Sequence, residues 1–306
     1  MFDLNKIFIK INYMNSKNNS KQITLMTTLK SHYGSINCLI LLKNGNFATC
    51  SNDKTIKIFN SITFTIEETI KEVKKISYIY QLKNEDLISL NYDTFNLYSI
   101  NNNKYLLNYT IYDIKLEKIL EASNDELICL SHSLDSINFY KLNSKKKYEK
   151  NFELKEDFNI AEFIILNNEE IVYSTNLENI IFYNYIDKFK IKEISNLSGI
   201  LYKIDNNLLV INNNINFIDI KTHNIYKTCF FNELFCTVML QTKNKNIIIT
   251  GEQEGNLQLW EYNNNNFKLI SHIINAHKGW IPYIIQLNNG YIITCSLNDT
   301  FIKIWI

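Results

Sequence analysis

The chain has 306 residues but contains no arginine, one proline and seven glycines. All 32 basic residues are therefore lysines, and against 31 acidic residues they leave a formal net charge of +1 at pH 7. Lysine offers a point charge where arginine offers a planar set of donors, so the side chain that best grips phosphate is missing. The balanced charge creates no overall field that favours nucleic acid or an anionic membrane.

Long apolar runs and paired cysteines are also missing. No apolar segment reaches the length of a membrane span, and no secretory signal is visible because the short stretch 7–11 is interrupted by Lys10. The six cysteines include no C-x-x-C pair, and four of them lie in apolar strand patterns typical of buried thiols. No His/Cys cluster has metal-ligand spacing and no glycine-rich phosphate loop is present. We therefore expect an intracellular protein, cytoplasmic or nuclear, with no membrane insertion, metal or cofactor.

A hairpin pattern recurs near the two ends of the chain. Residues 44–59 read NGNFATCSNDKTIKIF, and residues 288–305 read NNGYIITCSLNDTFIKIW. In each, an alternating strand leads to a turn that carries an aspartate, Asp53 or Asp299, and a second alternating strand closes on an aromatic residue. Recurrence over that distance indicates a repeat protein.

The intervening chain carries weaker copies of the same pattern. Each copy has a hydroxyl residue, then an acidic residue, then an aromatic residue at the end of a strand. The copies are Ser89, Asp93 and Tyr98; Ser131, Asp135 and Tyr140; Ser174, Glu178 and Tyr183; and Thr250, Glu254 and Trp260. A fifth unit around residues 208–219 has lost this chemistry, so it predicts a distorted blade, an interface or a count of six units.

The first full unit contains strand patterns at 36–42, 47–51, 55–59 and 64–70. Four short strands in one repeat of about 40 residues are typical of a β-propeller blade. The spacing of the closing residues predicts an all-β fold with seven four-stranded blades over residues 23–306. Residues 1–22 are mixed and polar, which predicts an N-terminal arm or linker.

On these residues the sequence resembles the WD40 repeat family, whose blade signature is Gly-His near the start and Trp-Asp at the end of the third strand. The best matches are Ser31-His32 with Asp53 and Phe59, the stretch 256–261 around Trp260, and Ala276-His277 with Asp299 and Trp305. The resemblance implies that the isolated strand at 23–29 completes the last blade and closes the ring.

The resemblance also implies structural anchors, because family members hold each blade with a hydrogen-bonded chain from Trp through Ser/Thr and His to Asp. In blade one this chain would comprise His32, Thr49 and Asp53, while Phe59 lacks the indole N–H. Blade six offers Thr250, Glu254 and Trp260 without a histidine. Blade seven offers His277, Asp299 and Trp305, with the hydroxyl supplied from Thr294, Cys295 or Ser296.

Residues suggestive of catalysis have structural explanations. The acidic residues recur at matched turns, which favours blade anchoring over acid–base or ligand chemistry. Ser131, His132 and Asp135 resemble a catalytic triad in order only, because neighbours along a strand face opposite sides. The basic run 145–147 falls in a predicted loop, where it is typical of a solvated surface.

Family geometry places the residue before each anchoring acid on the face around the central channel, together with residues just before the first strand. The first set is Asn52, Tyr92, Leu134, Leu177, Gln253 and Asn298, and the second includes Ser35, Lys75 and Trp280. Trp280 stands out because a large aromatic residue is expected in a solvent-facing loop, where it either binds a partner or packs on a neighbouring loop.

The sequence therefore predicts a non-catalytic protein–protein interaction scaffold, a monomeric WD40-like propeller that presents a binding surface in a larger assembly. This prediction rests on family analogy and on the lack of catalytic chemistry. The alternatives are a propeller enzyme with its site at the channel mouth, which would need convergent acids or histidines there, and a subunit of a nucleic-acid-associated complex, which salt-sensitive binding would reveal.

Overall fold

The computed structural model describes residues 23–204, 207–211, 214–230 and 236–306, without the side chain of Phe230. The predicted arm, residues 1–22, lies outside the described residues. Within them the chain forms strands and no helix. The strands are β1 (Leu25–Lys30), β2 (Ile36–Leu41), β3 (Phe47–Ser51), β4 (Thr55–Phe59), β5 (Ile66–Lys71), β6 (Tyr78–Gln81), β7 (Leu87–Leu90), β8 (Thr94–Asn101), β9 (Lys104–Tyr112), β10 (Leu116–Glu121), β11 (Leu127–Ser131), β12 (Ser136–Leu142), β13 (Tyr148–Lys155), β14 (Ile160–Ile165), β15 (Glu170–Thr175), β16 (Asn179–Asn184), β17 (Phe189–Ser195), β18 (Ile200–Ile204), β19 (Asn207–Ile211), β20 (Asn214–Asp219), β21 (Ile225–Phe230), β22 (Cys236–Gln241), β23 (Ile247–Glu252), β24 (Leu257–Asn263), β25 (Asn266–Ile273), β26 (Tyr283–Gln286), β27 (Ile292–Cys295) and β28 (Phe301–Trp305).

These strands form seven antiparallel sheets of four strands across the described ranges, and each sheet is one blade of a β-propeller. Blades one to six each take four consecutive strands, from β2-β3-β4-β5 to β22-β23-β24-β25. Blade seven has the order β1-β28-β27-β26, so a strand from the start of the described chain completes it. In this pairing Thr27 lies opposite Ile304 and Lys30 opposite Phe301. The predicted blade count and ring closure are confirmed, and closure removes the exposed edges that invite aggregation.

Both faces of the inner strands are apolar because each blade is packed between two others. In blade one, Ile56 and Ile58 pack towards blade two, in a cluster with Ile79. Phe59, the next residue along β4, packs towards blade seven in a cluster that includes Ile304. Successive side chains of a strand point to opposite faces, so continuous apolar stretches are what a blade between neighbours requires.

Blade five is a complete blade despite its degenerate sequence pattern. Strands β18 to β21 pair in order, and Leu208, Val210 and Ile218 are buried against residues of blade four such as Phe182. Apolar packing and strand pairing therefore maintain a blade whose predicted polar signature has been lost. The alternative count of six blades is wrong.

The scarcity of glycine shows in the turns that join the first and second strands of a blade. Gly45 and Gly290 occupy the left-handed position of this turn in blades one and seven, with φ of 87° and 95°. The same position is taken by Glu85 in blade two and by Asp125 in blade three, with φ of 73° and 62°. Non-glycine residues adopt this conformation at a cost in backbone energy, so these turns are held by the strands around them.

Candidate functional site

One face of the ring is formed by two kinds of connection, the loops between consecutive blades and the turns between the second and third strands of each blade. We call it the upper face, and the opposite face the lower face. The two kinds of connection bond to each other: the backbone N–H of Asn52 donates to the Ser35 carbonyl at 3.0 Å, and that of Trp280 donates to Asn298 Oδ1 at 3.2 Å. The upper-face loops are therefore fixed against each other.

A cavity of about 600 Å³ lies at the upper mouth of the central channel. Its wall includes residues from the first strands of six blades, such as Tyr78 and Tyr283, because these strands surround the channel. Its rim is apolar and carries Leu134, Trp280 and Leu297. Two of the sequence-predicted surface residues, Leu134 and Trp280, are thus brought to one site.

Charges at this mouth are largely compensated. The Lys118 ammonium forms an ion pair with the Glu162 carboxylate, and it also donates to the Phe163 carbonyl at 3.2 Å. Glu117 bonds to His132 Nδ1 at 2.8 Å. An opening with an apolar rim and paired charges suits an uncharged or weakly charged ligand surface.

Asn52 and Tyr92 line a second, smaller cavity of about 190 Å³ on the upper face. The Tyr92 ring meets the His132 ring edge-on at 5.1 Å between centroids, and the Lys115 ammonium lies 5.3 Å from the Tyr92 centroid. Asn52 Oδ1 accepts from Asn37 Nδ2 at 2.9 Å. This cavity lies beside the channel mouth, because Asn37 and Glu117 line both.

Lys75 of the second predicted set also lines the smaller cavity, whereas Leu177, Gln253 and Asn298 are exposed on the upper face outside both cavities. Leu177 and Gln253 project into solvent. Asn298 is exposed as well, and its side chain fixes the Trp280 loop as described above. The structure therefore brings together some of the predicted set and leaves the rest distributed around the ring.

Histidines from the loops between blades organise the polar interior of blades one and seven. His32 Nδ1 lies 2.9 Å from Asp53 Oδ2, and His32 Nε2 lies 2.8 Å from Thr49 Oγ1. An ionised aspartate only accepts, so Nδ1 carries the proton and Nε2 accepts from the threonine hydroxyl. Phe59 has no N–H that could donate to Thr49, so the chain of hydrogen bonds in blade one ends at the threonine. The Phe59 ring instead stacks on the Phe47 ring at 4.9 Å between centroids.

Blade seven repeats this arrangement and extends it to tryptophan. The Trp305 indole N–H donates to Thr294 Oγ1 at 2.9 Å, Thr294 lies 2.7 Å from His277 Nε2, and His277 Nδ1 lies 3.0 Å from Asp299 Oδ2. Of the three candidates for the hydroxyl position, Thr294 makes this contact. Cys295 is buried in the apolar core, and Ser296 accepts from the backbone N–H of Asn298 at 3.1 Å.

Burial decides the protonation of both histidines. It lowers the pKa of His32 and of His277 below the usual value of 6.5, although the adjacent aspartates act in the opposite direction. Burial also raises the pKa of Asp53 and of Asp299, but the hydrogen bonds they accept outweigh it and leave both pKa values lowered. Each pair is therefore a neutral imidazole beside a carboxylate at pH 7.

A family model described as WD domain, G-beta repeat, matches residues 23–60. These residues comprise β1 and the first three strands of blade one, including the His32, Thr49 and Asp53 contacts. The match coincides with seven four-stranded blades in a closed ring. The fold is a seven-bladed β-propeller, and its first repeat is similar to the WD40 repeat. A search of the curated proteins finds no match to it.

Blade two of the propeller uses a glutamate in place of the histidine. The Glu72 carboxylate accepts from Tyr98 Oη at 2.7 Å, from Asn91 Nδ2 at 2.7 Å and from Asn96 Nδ2 at 2.9 Å, and it also accepts from the Ser89 hydroxyl. Four donors thus converge on one side chain that the repeat pattern did not predict as an anchor.

Asp93, the predicted anchor of blade two, does not take part in this arrangement. Its carboxylate pairs with the Lys74 ammonium at 2.5 Å in a partly exposed position. The structure thus departs from the prediction because Glu72 already satisfies Ser89 and Tyr98, the two residues that Asp93 was expected to hold.

Blades three and four retain only parts of the predicted contacts. In blade three, Ser131 and Ser133 donate to Asp135, while Tyr140 is buried and outside this group. In blade four the Tyr173 hydroxyl donates to Glu156. The predicted anchors of blade four are not connected, because Ser174 Oγ is buried with no partner among the described residues, the Glu178 side chain is exposed, and Tyr183 is buried in the apolar core.

Blade six keeps the aromatic–hydroxyl contact, but its buried acid is not the predicted one. The Trp260 indole N–H donates to Thr250 Oγ1 at 3.0 Å. Glu254, the predicted acid, is exposed, whereas Glu252 is buried and accepts from Asn256 Nδ2 at 2.7 Å. The buried acid of this turn is therefore Glu252, two residues before the predicted Glu254.

The missed glutamates share a signal that the sequence contains. Glu72 directly follows β5, and Glu156 directly follows β13, so each opens the loop to the next blade. His32 and His277 lie in the same loop of their own blades. A repeat pattern that accepts either histidine or glutamate in this loop, rather than histidine alone, predicts both Glu72 and Glu156.

The described residues show neither a metal-ligand cluster nor a membrane-spanning helix. No group of three or more His, Cys, Asp or Glu side chains within it could hold a metal ion. The described segments also contain no helix with the length and apolarity needed to cross a bilayer.

Proposed function

We propose that this WD40 propeller is a non-catalytic scaffold that binds a polypeptide across its upper face. The observation that carries the proposal is Trp280, which is 44% exposed at the rim of the channel mouth. Large aromatic residues dominate binding hot spots because they bury much area for little loss of conformational freedom.

The loop around Trp280 presents the ring in a fixed position. The backbone N–H of Trp280 donates to Asn298 Oδ1, and the backbone carbonyl of Trp280 accepts from the Leu297 N–H at 3.2 Å. Gly279 precedes Trp280 and has a φ of 109°. A side chain at position 279 would collide with Asn298, because its Cβ would lie 2.8 Å from Asn298 Oδ1. A side chain that is exposed on a well-held backbone loses little entropy on binding.

The chemistry of the rim indicates what kind of surface fits. Leu134, Trp280, Pro282 and Leu297 are apolar, and the nearby Lys118–Glu162 pair is already compensated. We infer an apolar segment of a partner protein rather than a phosphorylated or strongly acidic one. The absence of arginine from the whole chain supports the same inference.

The test is a capture experiment from the native source with the intact chain, Trp280→Ala and Leu142→Ala. Leu142 is a matched control because it is half-exposed at the lower-face end of β12. Once a partner is identified, Trp280→Ala should weaken its binding by about 2 kcal/mol or more, and Leu142→Ala should leave it unchanged.

All three proteins should melt at the same temperature, so that a loss reports binding and not folding. Equal capture by the three would contradict an upper-face interface centred on Trp280. Turnover of a substrate panel with no captured partner would contradict the scaffold proposal itself.

A further inference from the structure

Blades one, two, three and seven contain a polar slot beneath the loop that enters the blade, faced by alternate residues of the third strand. In blade one this face carries Lys57, two residues before Phe59, and in blade seven it carries Lys303, two residues before Trp305. The Lys57 ammonium donates to the Ser31 carbonyl, and the Lys303 ammonium donates to the Ala276 carbonyl. The fold thus places an ammonium group in the slot of two blades.

Blade three has the same slot without that group. Asn138 stands two residues before Tyr140 on β12, in the position of the two lysines. The slot is a cavity of about 550 Å³ whose wall includes Ser131, Asp135, Asn138 and Tyr140. A cavity of this size is within the range of ligand pockets.

The loop that enters blade three does not fill the slot either. Asp113 directly follows β9, as Glu72 directly follows β5, but the Asp113 side chain is exposed and its φ is 59°. Glu72 occupies the corresponding space in blade two, where it collects four donors. Asp113 has a shorter side chain and lies at the rim of the blade-three cavity.

The cavity offers acceptors to a ligand. Asn138 is 5% exposed, lines the cavity, and its Oδ1 has no hydrogen-bond partner among the described residues. Its Nδ2 reaches only Ser136 Oγ at 3.5 Å. A buried acceptor without a donor costs free energy until a donor arrives.

Charge also favours a positively charged donor. The lining contains four carboxylates and two lysines: Asp113, Asp135, Glu149, Glu153, Lys115 and Lys150. Lys150 is already paired with Glu153 at 2.9 Å, and Asp135 accepts from the Ser131 and Ser133 hydroxyls. The excess of negative charge disfavours an anion in this slot and attracts a cation.

We propose that the slot of blade three binds an aliphatic ammonium group, supplied by a lysine side chain of a partner polypeptide or by a free polyamine. The incoming ammonium donates to Asn138 Oδ1 and lies near the Asp135 carboxylate, much as the Lys57 ammonium in blade one donates to the carbonyl of Ser31, next to His32. This site is on the flank of blade three and does not depend on the upper-face contact of Trp280.

The test measures binding of three probes to the intact protein by calorimetric titration: N-acetyl-lysine methylamide, its ε-acetylated form, and spermidine. The two cationic probes should bind saturably, and the ε-acetylated probe should bind at least tenfold more weakly. The stronger of the two cationic probes indicates whether a peptide lysine or a polyamine is the better ligand.

Asn138→Lys is the decisive variant, because it supplies the slot with the lysine that blades one and seven already carry. It should weaken binding of the cationic probes at least tenfold while the melting temperature stays equal or rises. Asn108→Lys is the matched control, since it adds the same charge at an exposed position of β9 that does not line the cavity.

Three outcomes would overturn the proposal. The first is no saturable binding of either cationic probe to the unsubstituted protein. The second is equal binding of the ε-acetylated probe, which would show that the charge is irrelevant. The third is undiminished binding to Asn138→Lys, or an equal loss in Asn108→Lys, which would place the cation elsewhere.

Discussion

Blades one and two of the propeller fill equivalent slots with different chemistry. In blade one the loop between blades supplies His32, which lies between a threonine and an aspartate. In blade two the same loop supplies Glu72, which accepts from a serine, two asparagines and a tyrosine. One slot in the fold thus accommodates either a neutral imidazole or a carboxylate.

The difference follows from what each side chain can donate and accept. A neutral imidazole donates through one nitrogen and accepts through the other, so it needs one acceptor and one donor, and Asp53 and Thr49 provide them. A carboxylate only accepts, so its partners must all be donors, as they are around Glu72. In blade two the loop between blades supplies the carboxylate, so an aspartate in the turn is not required. Asp93 instead pairs with Lys74.

The largest effect is expected where the histidine arrangement ends in a tryptophan. Trp305→Ala should lower the free energy of unfolding by about 3–5 kcal/mol, because it leaves a large cavity between blades six and seven. Trp305→Phe, the aromatic counterpart of Phe59 in blade one, should lose about 1 kcal/mol through the missing bond to Thr294. Urea denaturation measures both. A loss below about 1 kcal/mol for the alanine variant would contradict the packing role of Trp305.

A somewhat smaller effect separates the two carboxylates of blade two. Glu72→Ala should lower the free energy of unfolding by about 3 kcal/mol, because it leaves buried donors such as Tyr98 Oη without an acceptor. Asp93→Ala removes only a partly exposed ion pair and should change stability by less than about 1 kcal/mol.

Equal losses in the two variants would contradict the assignment of Glu72 as the organising residue of blade two. A larger loss for Asp93→Ala would restore the anchor that the repeat pattern predicted. Matching denaturant slopes are the control, since they show that both variants unfold from the same compact state.

The sequence predicted the fold more completely than the slots, and the reason is physical. Strands and blades follow from the period of apolar residues, and even blade five retains Leu208 and Val210 although its polar residues have changed. Hydrogen-bond partners depend instead on which side chain reaches across from the preceding loop. Glu72 lies about 20 residues before its partners in β7 and β8, so a pattern fixed on the turn between strands could not detect it.

The grouping of exposed residues on the surface could not be predicted from the repeat pattern either. The repeat geometry predicted which residues lie on the upper face, including Asn52 and Leu177, but exposure alone does not group them. Only the curvature of the ring brings Leu134 of blade three and Trp280 of blade seven to one opening, and this depends on all the intervening blades.

The smallest effect is the dependence of stability on pH that comes from the buried histidines of blades one and seven. Burial holds the pKa of His32 and of His277 below 6.5 in the folded protein. As the pH falls through 6.5 the unfolded chain binds protons that the folded chain does not, so the free energy of unfolding decreases. The melting temperature should therefore fall between pH 7.5 and pH 5.5, while the lowered pKa values of Asp53 and Asp299 contribute only in more acidic solution.

The variant His277→Gln isolates this contribution, because glutamine can still donate to Asp299 and accept from Thr294 but does not titrate. It should melt lower than the unsubstituted protein at pH 7.5 and lose less of its stability on acidification. The side chain of His132, which pairs with Glu117, is 45% exposed. The substitution His132→Gln is therefore the control. If the melting temperature of His277→Gln depends on pH as that of the unsubstituted protein does, the buried histidine of blade seven makes no contribution to the pH dependence of stability.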